Sequence, residues 1–236
     1  MKLLVINPLV SPPFNEMMKE ALSRRLDTAA ELTVIGLTEG PACIEGFADE
    51  VLAAPQVLSI VEREKDNYDG FFINCFGDVA MDALREITDK PIVGAGEAAY
   101  FMAGAVGVPF SIVTIGSNAR NKNGYRFKEM GCCRFVSTAG IQEGVLALND
   151  DPKETARHIA EAFLKEKEQK GSELLVLGCT GMIDVAAMVK EILGTPVIEP
   201  CTAGIKLLES FVSLGISHCR GGKYTPCEPK MLKLED

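Results

Sequence analysis

The sequence predicts an α/β protein of two similar lobes with parallel sheets, related by pseudo-twofold symmetry, with an active site in the cleft between them. Three observations predict it. Short apolar, β-branched runs alternate with segments of helical period along the chain, the pattern of a parallel-stranded α/β fold. A strand–Cys–x–Gly–helix–Pro–strand unit occurs twice, once from Phe71 and again from Leu174. Finally, 236 residues of 47% hydrophobic composition are enough to bury a full core in one large domain or in two lobes.

The elements follow in order. Residues 3–6 read as a buried strand, stopped where Asn7 and Pro8 interrupt the apolar run. Helical period over 16–26 follows Asn15 as a cap, and 32–37 return to strand. A helix over 55–65 precedes the strand 70–74, which runs into Cys75. A helix over 79–87 with Asp78 as its cap leads to the Pro91-led strand 92–93 and a helix over 98–106. The second half repeats the plan. Strand 110–115 is the counterpart of 3–6, followed by helix 120–130, strand 133–136 and the acidic helix 153–168. Strand 174–177 runs into Cys179, helix 183–193 follows, and the Pro196-led strand 197–198 precedes a helix over 203–214 with Thr202 as its cap. The lobes are therefore expected at 1–104 and 105–214, with the last helix of each free to cross to the other. Residues 215–236, with Gly221, Gly222, Pro226 and Pro229, are expected as an irregular tail packed over one lobe.

Composition narrows the function. A net charge of −9 leaves no basic excess to neutralise phosphates, and the absence of Trp removes stacking platforms, so no nucleic-acid partner is expected. No stretch is long and apolar enough to span a bilayer, so no membrane partner is expected either. The N-terminal apolar run is broken by Asn7, Pro8, Pro12 and Pro13 and lacks a small-residue cleavage site, so it reads as a strand rather than a signal peptide. A cytoplasmic location is expected, and with it free thiols for the eight cysteines. The two histidines do not suggest a metal centre: His158 falls on a solvated helical face, and His218 with Cys219 and Cys227 lacks a fourth ligand at finger spacing. No metal and no cofactor are expected; the partner is a small-molecule substrate.

The duplicated cysteines carry the chemistry. In open parallel sheets, ligands sit beyond the carboxyl ends of the strands. Two halves facing each other would bring Cys75 and Cys179 to a shared cleft from opposite sides. Racemising a carbon next to a carbonyl removes a proton from one face and returns one to the other, which suits a thiolate and a thiol that exchange roles. Helix N-termini after each cysteine are expected to lower the thiol pKa. Gly77 and Gly181 are expected to turn N–H groups toward the developing enolate oxygen. Cys43, Cys132, Cys133, Cys201, Cys219 and Cys227 read as buried packing cysteines. Phe76 either faces a flat substrate ring or packs inside the lobe, and Asp78 and Glu97 read as helix caps.

The chain resembles the hydantoin racemases of the aspartate/glutamate racemase superfamily. The likeness lies in INP at residues 6–8, IEGFADEVLAAPQVL at 44–58, YDGFFINCFGD at 68–78 and PIVGAGEAA at 91–99. It continues through FSIVT at 110–114, LLVLGCTGM at 174–182 and the ending LGISHCRGGKYTPCEPK at 214–230. The resemblance implies two Rossmann-like lobes, Cys75 and Cys179 as acid and base, no pyridoxal phosphate or metal, and a homo-oligomer. It implies substrate contacts at Asn7, Ile44, Phe76, Gly77, Thr114, Thr180 and Gly181. Leu9 and Val10 stand where members commonly carry Asn and Thr, which makes the loop after the first strand more apolar.

The expected reaction is cofactor-independent racemisation of a 5-substituted hydantoin or related ureide, whose reacting C–H lies between a carbonyl and an acylated nitrogen. Allantoin is an alternative ureide, and aspartate or glutamate a further alternative. Amino-acid racemases of the superfamily typically carry Asn-Thr and Thr-His after their cysteines, where this chain has Phe76-Gly77 and Thr180-Gly181. The non-enzymatic alternative is a two-lobe small-molecule sensor with inert cysteines.

Overall fold

The computed structural model describes residues 1–27, 29–131 and 133–226. It holds two four-stranded sheets, every strand pair parallel. The first is ordered β2-β1-β3-β4 from Glu31–Gly36 (β2), Lys2–Asn7 (β1), Gly70–Ile73 (β3) and Ile92–Gly94 (β4). The second is ordered β6-β5-β7-β8 from Phe135–Ile141 (β6), Phe110–Ile115 (β5), Leu174–Leu177 (β7) and Val197–Ile198 (β8). The two orders are the same once renumbered, so the repeat in the sequence is a repeat of topology. Central strands β1, β3, β5 and β7 are almost wholly buried, as runs of Leu, Ile, Val and Phe covered on both faces must be.

The helices are Pro12–Ser23 (α1), Phe47–Glu64 (α2), Met81–Ile87 (α3), Ala95–Val106 (α4), Ser117–Glu129 (α5), Pro152–Lys170 (α6), Ala186–Leu193 (α7) and Pro200–Leu214 (α8). Each expected element is present, but several starts move for identifiable reasons. Pro55 lies inside α2 on its exposed side; the helix begins eight residues earlier, where the Asp49 carboxylate accepts from the N–H groups of Glu45 and Gly46. Asn15, Asp78 and Thr202 do not cap the helices assigned to them. Pro12 starts α1 after Ser11, and Glu199 caps α8 by accepting from the N–H groups of Cys201 (2.6 Å) and Thr202 (2.8 Å). The strand expected at 133–136 lies at Phe135–Ile141, because Arg134 is still in the turn, where its carbonyl accepts from the Phe110 N–H of β5 (3.0 Å).

The terminal helices join the lobes. Ile205 and Leu208 of α8 pack with Leu3, Phe72 and Val93 of the first sheet, while Ala99, Tyr100 and Ala103 of α4 pack with Phe110, Leu174 and Val176 of the second. Gly204 of α8 sits so close to Phe72 that a Cβ there would lie 2.1 Å from the ring. Residues 215–226 run over α3: His218 Nε2 lies 2.7 Å from the Thr88 carbonyl, Arg220 donates to the Glu86 carbonyl (2.9 Å), and Lys223 and Tyr224 reach Asp82. No helix among the described residues is long and apolar enough to cross a membrane.

Candidate active site

The carboxyl ends of β3, β5 and β7 and the loop after β1 converge on one narrow cleft between the sheets, with about 500 Å³ of empty space including its mouth. Cys75 and Cys179 both line it, each two residues past the end of its strand. Ile44, Phe76, Gly77, Thr114, Thr180 and Gly181 line it too. Asn7 does not reach the wall. It is fully buried behind it, donating to Asn15 Oδ1 and accepting from Asn74 Nδ2, both at 2.7 Å. Asn74 takes the wall position, and its Oδ1 also accepts from the Cys201 thiol (3.2 Å). The polar chain Asn15–Asn7–Asn74–Cys201 thus braces the strand end that carries Cys75 and ties it to α8.

The turn after Cys75 is held from the second lobe. Asp78 and Ala80 adopt left-handed backbone (φ 51° and 61°), a conformation L-residues rarely take without support. The support comes through the Asp78 carboxylate, which accepts from the N–H groups of Gly96 (2.8 Å) and Glu97 (2.7 Å) and pairs with Arg126. Asp78 is therefore a cap, of α4 rather than α3. Arg126 also donates to the Phe76 carbonyl (2.8 Å). Glu97 completes the start of α4 by accepting from the Gly94 N–H (3.1 Å) and pairs with Arg85. Burial and the neighbouring Asp78 push the Glu97 carboxyl upward. The Phe76 ring packs in the core between the lobes, stacked on Phe127 with centroids 5.5 Å apart, and Phe76 also lines the cleft.

The electrostatics overturn one expectation. Burial pushes the Cys75 thiol up to about 12, against the Gly77 N–H, which donates to its Sγ (3.4 Å), and the Lys122 ammonium. Burial likewise pushes Cys179 up to about 11, opposed by the Gly181 N–H and reinforced by Glu45 and Cys43. Neither cysteine gains a long helix N-terminus: α3 starts six residues after Cys75, and Cys179 opens only a three-residue 3-10 turn, Thr180–Met182. Desolvation wins over one N–H each. Of the remaining cysteines, Cys201 is fully buried, Cys43 is half-buried, and Cys133 and Cys219 are exposed, Cys133 in a turn and Cys219 in the irregular segment after α8. Cys132 and Cys227 fall outside the described residues.

Sequence reasoning missed Lys122 and Asn123. Both line the cleft from α5, Lys122 paired with Glu50 of α2 and Asn123 near Thr114. Gly77 makes room for the pair: a Cβ there would lie 1.9 Å from Glu50 Oε1. The segment 117–126 is mostly polar and shows no apolar helical face, so no local signal marks these two residues.

The family model for Asp/Glu/Hydantoin racemase matches residues 3–208. The chain belongs to the Asp/Glu/Hydantoin racemase family. This racemase-family protein is 35% identical over 236 residues to the hydantoin racemase of Paenarthrobacter aurescens, covering 98% of this chain and 100% of that one. Among solved structures, allantoin racemase from Klebsiella pneumoniae superposes with a TM-score of 0.91 at 31% identity, covering 100% of this chain and 97% of the other. Allantoin racemase from Pseudomonas fluorescens has a TM-score of 0.91 at 27% identity, covering 99% and 100%. The resemblance carried by the two cysteine motifs is therefore borne out, and the enzyme is a racemase, an isomerase.

Proposed function

We propose that the cleft racemises hydantoin-like ureides by two-base proton transfer between Cys75 and Cys179. The observation that carries this reading is that the cysteines of the two repeat units line one cleft from the ends of topologically equivalent strands. In one direction the thiolate of one cysteine takes the C–H proton and becomes a thiol, leaving an enolate. The opposite thiol then protonates the other face and becomes the thiolate. Lys122 is the cation that favours a Cys75 thiolate, and the Gly77 N–H supports the same sulfur. A hydantoin suits thiols of raised pKa, because its reacting C–H lies beside a carbonyl and an acylated nitrogen. We further propose that substrate touches Ile44, Phe76, Gly77, Thr114, Thr180 and Gly181, with Asn7 acting through Asn74.

Allantoin, a hydantoin bearing a ureido group, is a second reading supported by the two allantoin racemase structures. Leu9, Phe14, Ile44 and Val145 on the cleft wall favour an apolar substituent over a ureido one. Polarimetry of single enantiomers tests the reading. Rotation of a 5-alkyl or 5-benzyl hydantoin should decay to zero with enzyme, faster than that of allantoin. Persistent rotation of every ureide, with decay for aspartate or glutamate, would contradict it.

A further inference from the structure

We infer that Asn123 is a specificity-determining residue whose Oδ1 accepts a hydrogen bond from a ring N–H of the substrate. The inference deepens the hydantoin reading and rests on it for the identity of the ligand. Asn123 is 2% exposed, yet it lines the cleft, and among the described residues its Oδ1 has no hydrogen-bond partner. Which end of the amide faces the cleft follows from its neighbour. The Thr114 hydroxyl has one proton, and donates it to the Gly178 carbonyl at 2.8 Å. Its oxygen can then only accept, and Asn123 Nδ2 donates to it at 3.5 Å. That leaves Oδ1 as a buried acceptor without a donor, a state that costs free energy until a ligand supplies one.

The donor it calls for is a neutral N–H. The adjacent cation, Lys122, is already matched by Glu50, so this wall carries no unbalanced charge for a charged ligand group to meet. A hydantoin ring offers N–H groups beside carbonyls on one edge. Asn123 taking the N–H would leave a carbonyl to the Lys122 side, next to Cys75.

Two measurements test this. In the first, kcat/KM is compared for 5-benzylhydantoin and its N1-methyl and N3-methyl analogues, with native enzyme and Asn123→Ala. Methylation of one of the two nitrogens should lower native kcat/KM roughly 10- to 100-fold, chiefly through KM, by leaving a buried acceptor unpaired. Asn123→Ala should lose a similar factor on the parent compound and show little further loss on methylation. In the second, calorimetry measures binding of the unreactive 5,5-dimethylhydantoin to the same two proteins, with the same dependence on Asn123 expected. Binding that depends on Asn123 without any racemisation of hydantoins would retain this inference and sink the proposed racemisation of hydantoin-like ureides. Racemisation with unchanged KM in the variant, or with no N-methyl penalty in the native enzyme, would overturn the inference alone.

Discussion

Cys75 and Cys179 are buried thiols pushed up to about 12 and about 11, and the direction has a measurable consequence. A thiol whose pKa is raised stays protonated through neutral pH, and its thiolate fraction climbs about tenfold per pH unit until the pKa is approached. Iodoacetamide should therefore label peptides containing Cys75 or Cys179 about tenfold faster for each unit from about pH 7 to 10, and a bound hydantoin should suppress the labelling. A rate that levels off near about pH 8 would mean ordinary or lowered thiols, contrary to the burial account. At this scale the sequence revealed the two cysteines because each stands at the same place in a repeated unit. It did not reveal Lys122 and Asn123, whose importance comes from where α5 docks, and it misjudged the thiol pKa because burial depth is a property of the assembled cleft.

Periodicity located the strands and helices, because burial on one face or two leaves a pattern in the chain. Starts were less legible. A cap is a hydrogen bond, and the donor it serves need not be local: Asp78 spends its carboxylate on α4, eighteen and nineteen residues away, and not on the helix beside it. The exchange of α4 and α8 between sheets is also tertiary information, and Gly204 reports on it. Alanine there gains about 1 kcal/mol of helix propensity. Its methyl would meet the buried Phe72 ring at 2.1 Å, and overpacking of this kind costs about 1–3 kcal/mol. Because Phe72 is fully buried and cannot swing away, the overpacking should win. Gly204→Ala should lower unfolding stability in urea by up to about 2 kcal/mol with the m-value unchanged. A gain in stability would mean that α8 does not seat against β3 as described.

The whole molecule is two copies of one topology facing a common cleft, and its twofold logic extends to the reaction. If each lobe contributes the base for one face, removing either cysteine should stop racemisation but leave half of the proton chemistry. Serine is a poor base, because its hydroxyl is far less acidic than a thiol, while the remaining cysteine still serves its own enantiomer. The most direct measurement is NMR of hydrogen exchange in D2O for each pure enantiomer of a 5-substituted hydantoin with Cys75→Ser and Cys179→Ser. Racemisation should fall by roughly 10²- to 10⁴-fold in both variants. Each should still exchange the reacting hydrogen of one enantiomer with retention, and the enantiomer exchanged by one variant should be the one refused by the other. Equal exchange of both enantiomers by both variants, or racemisation by either at the native rate, would contradict the two-thiol account.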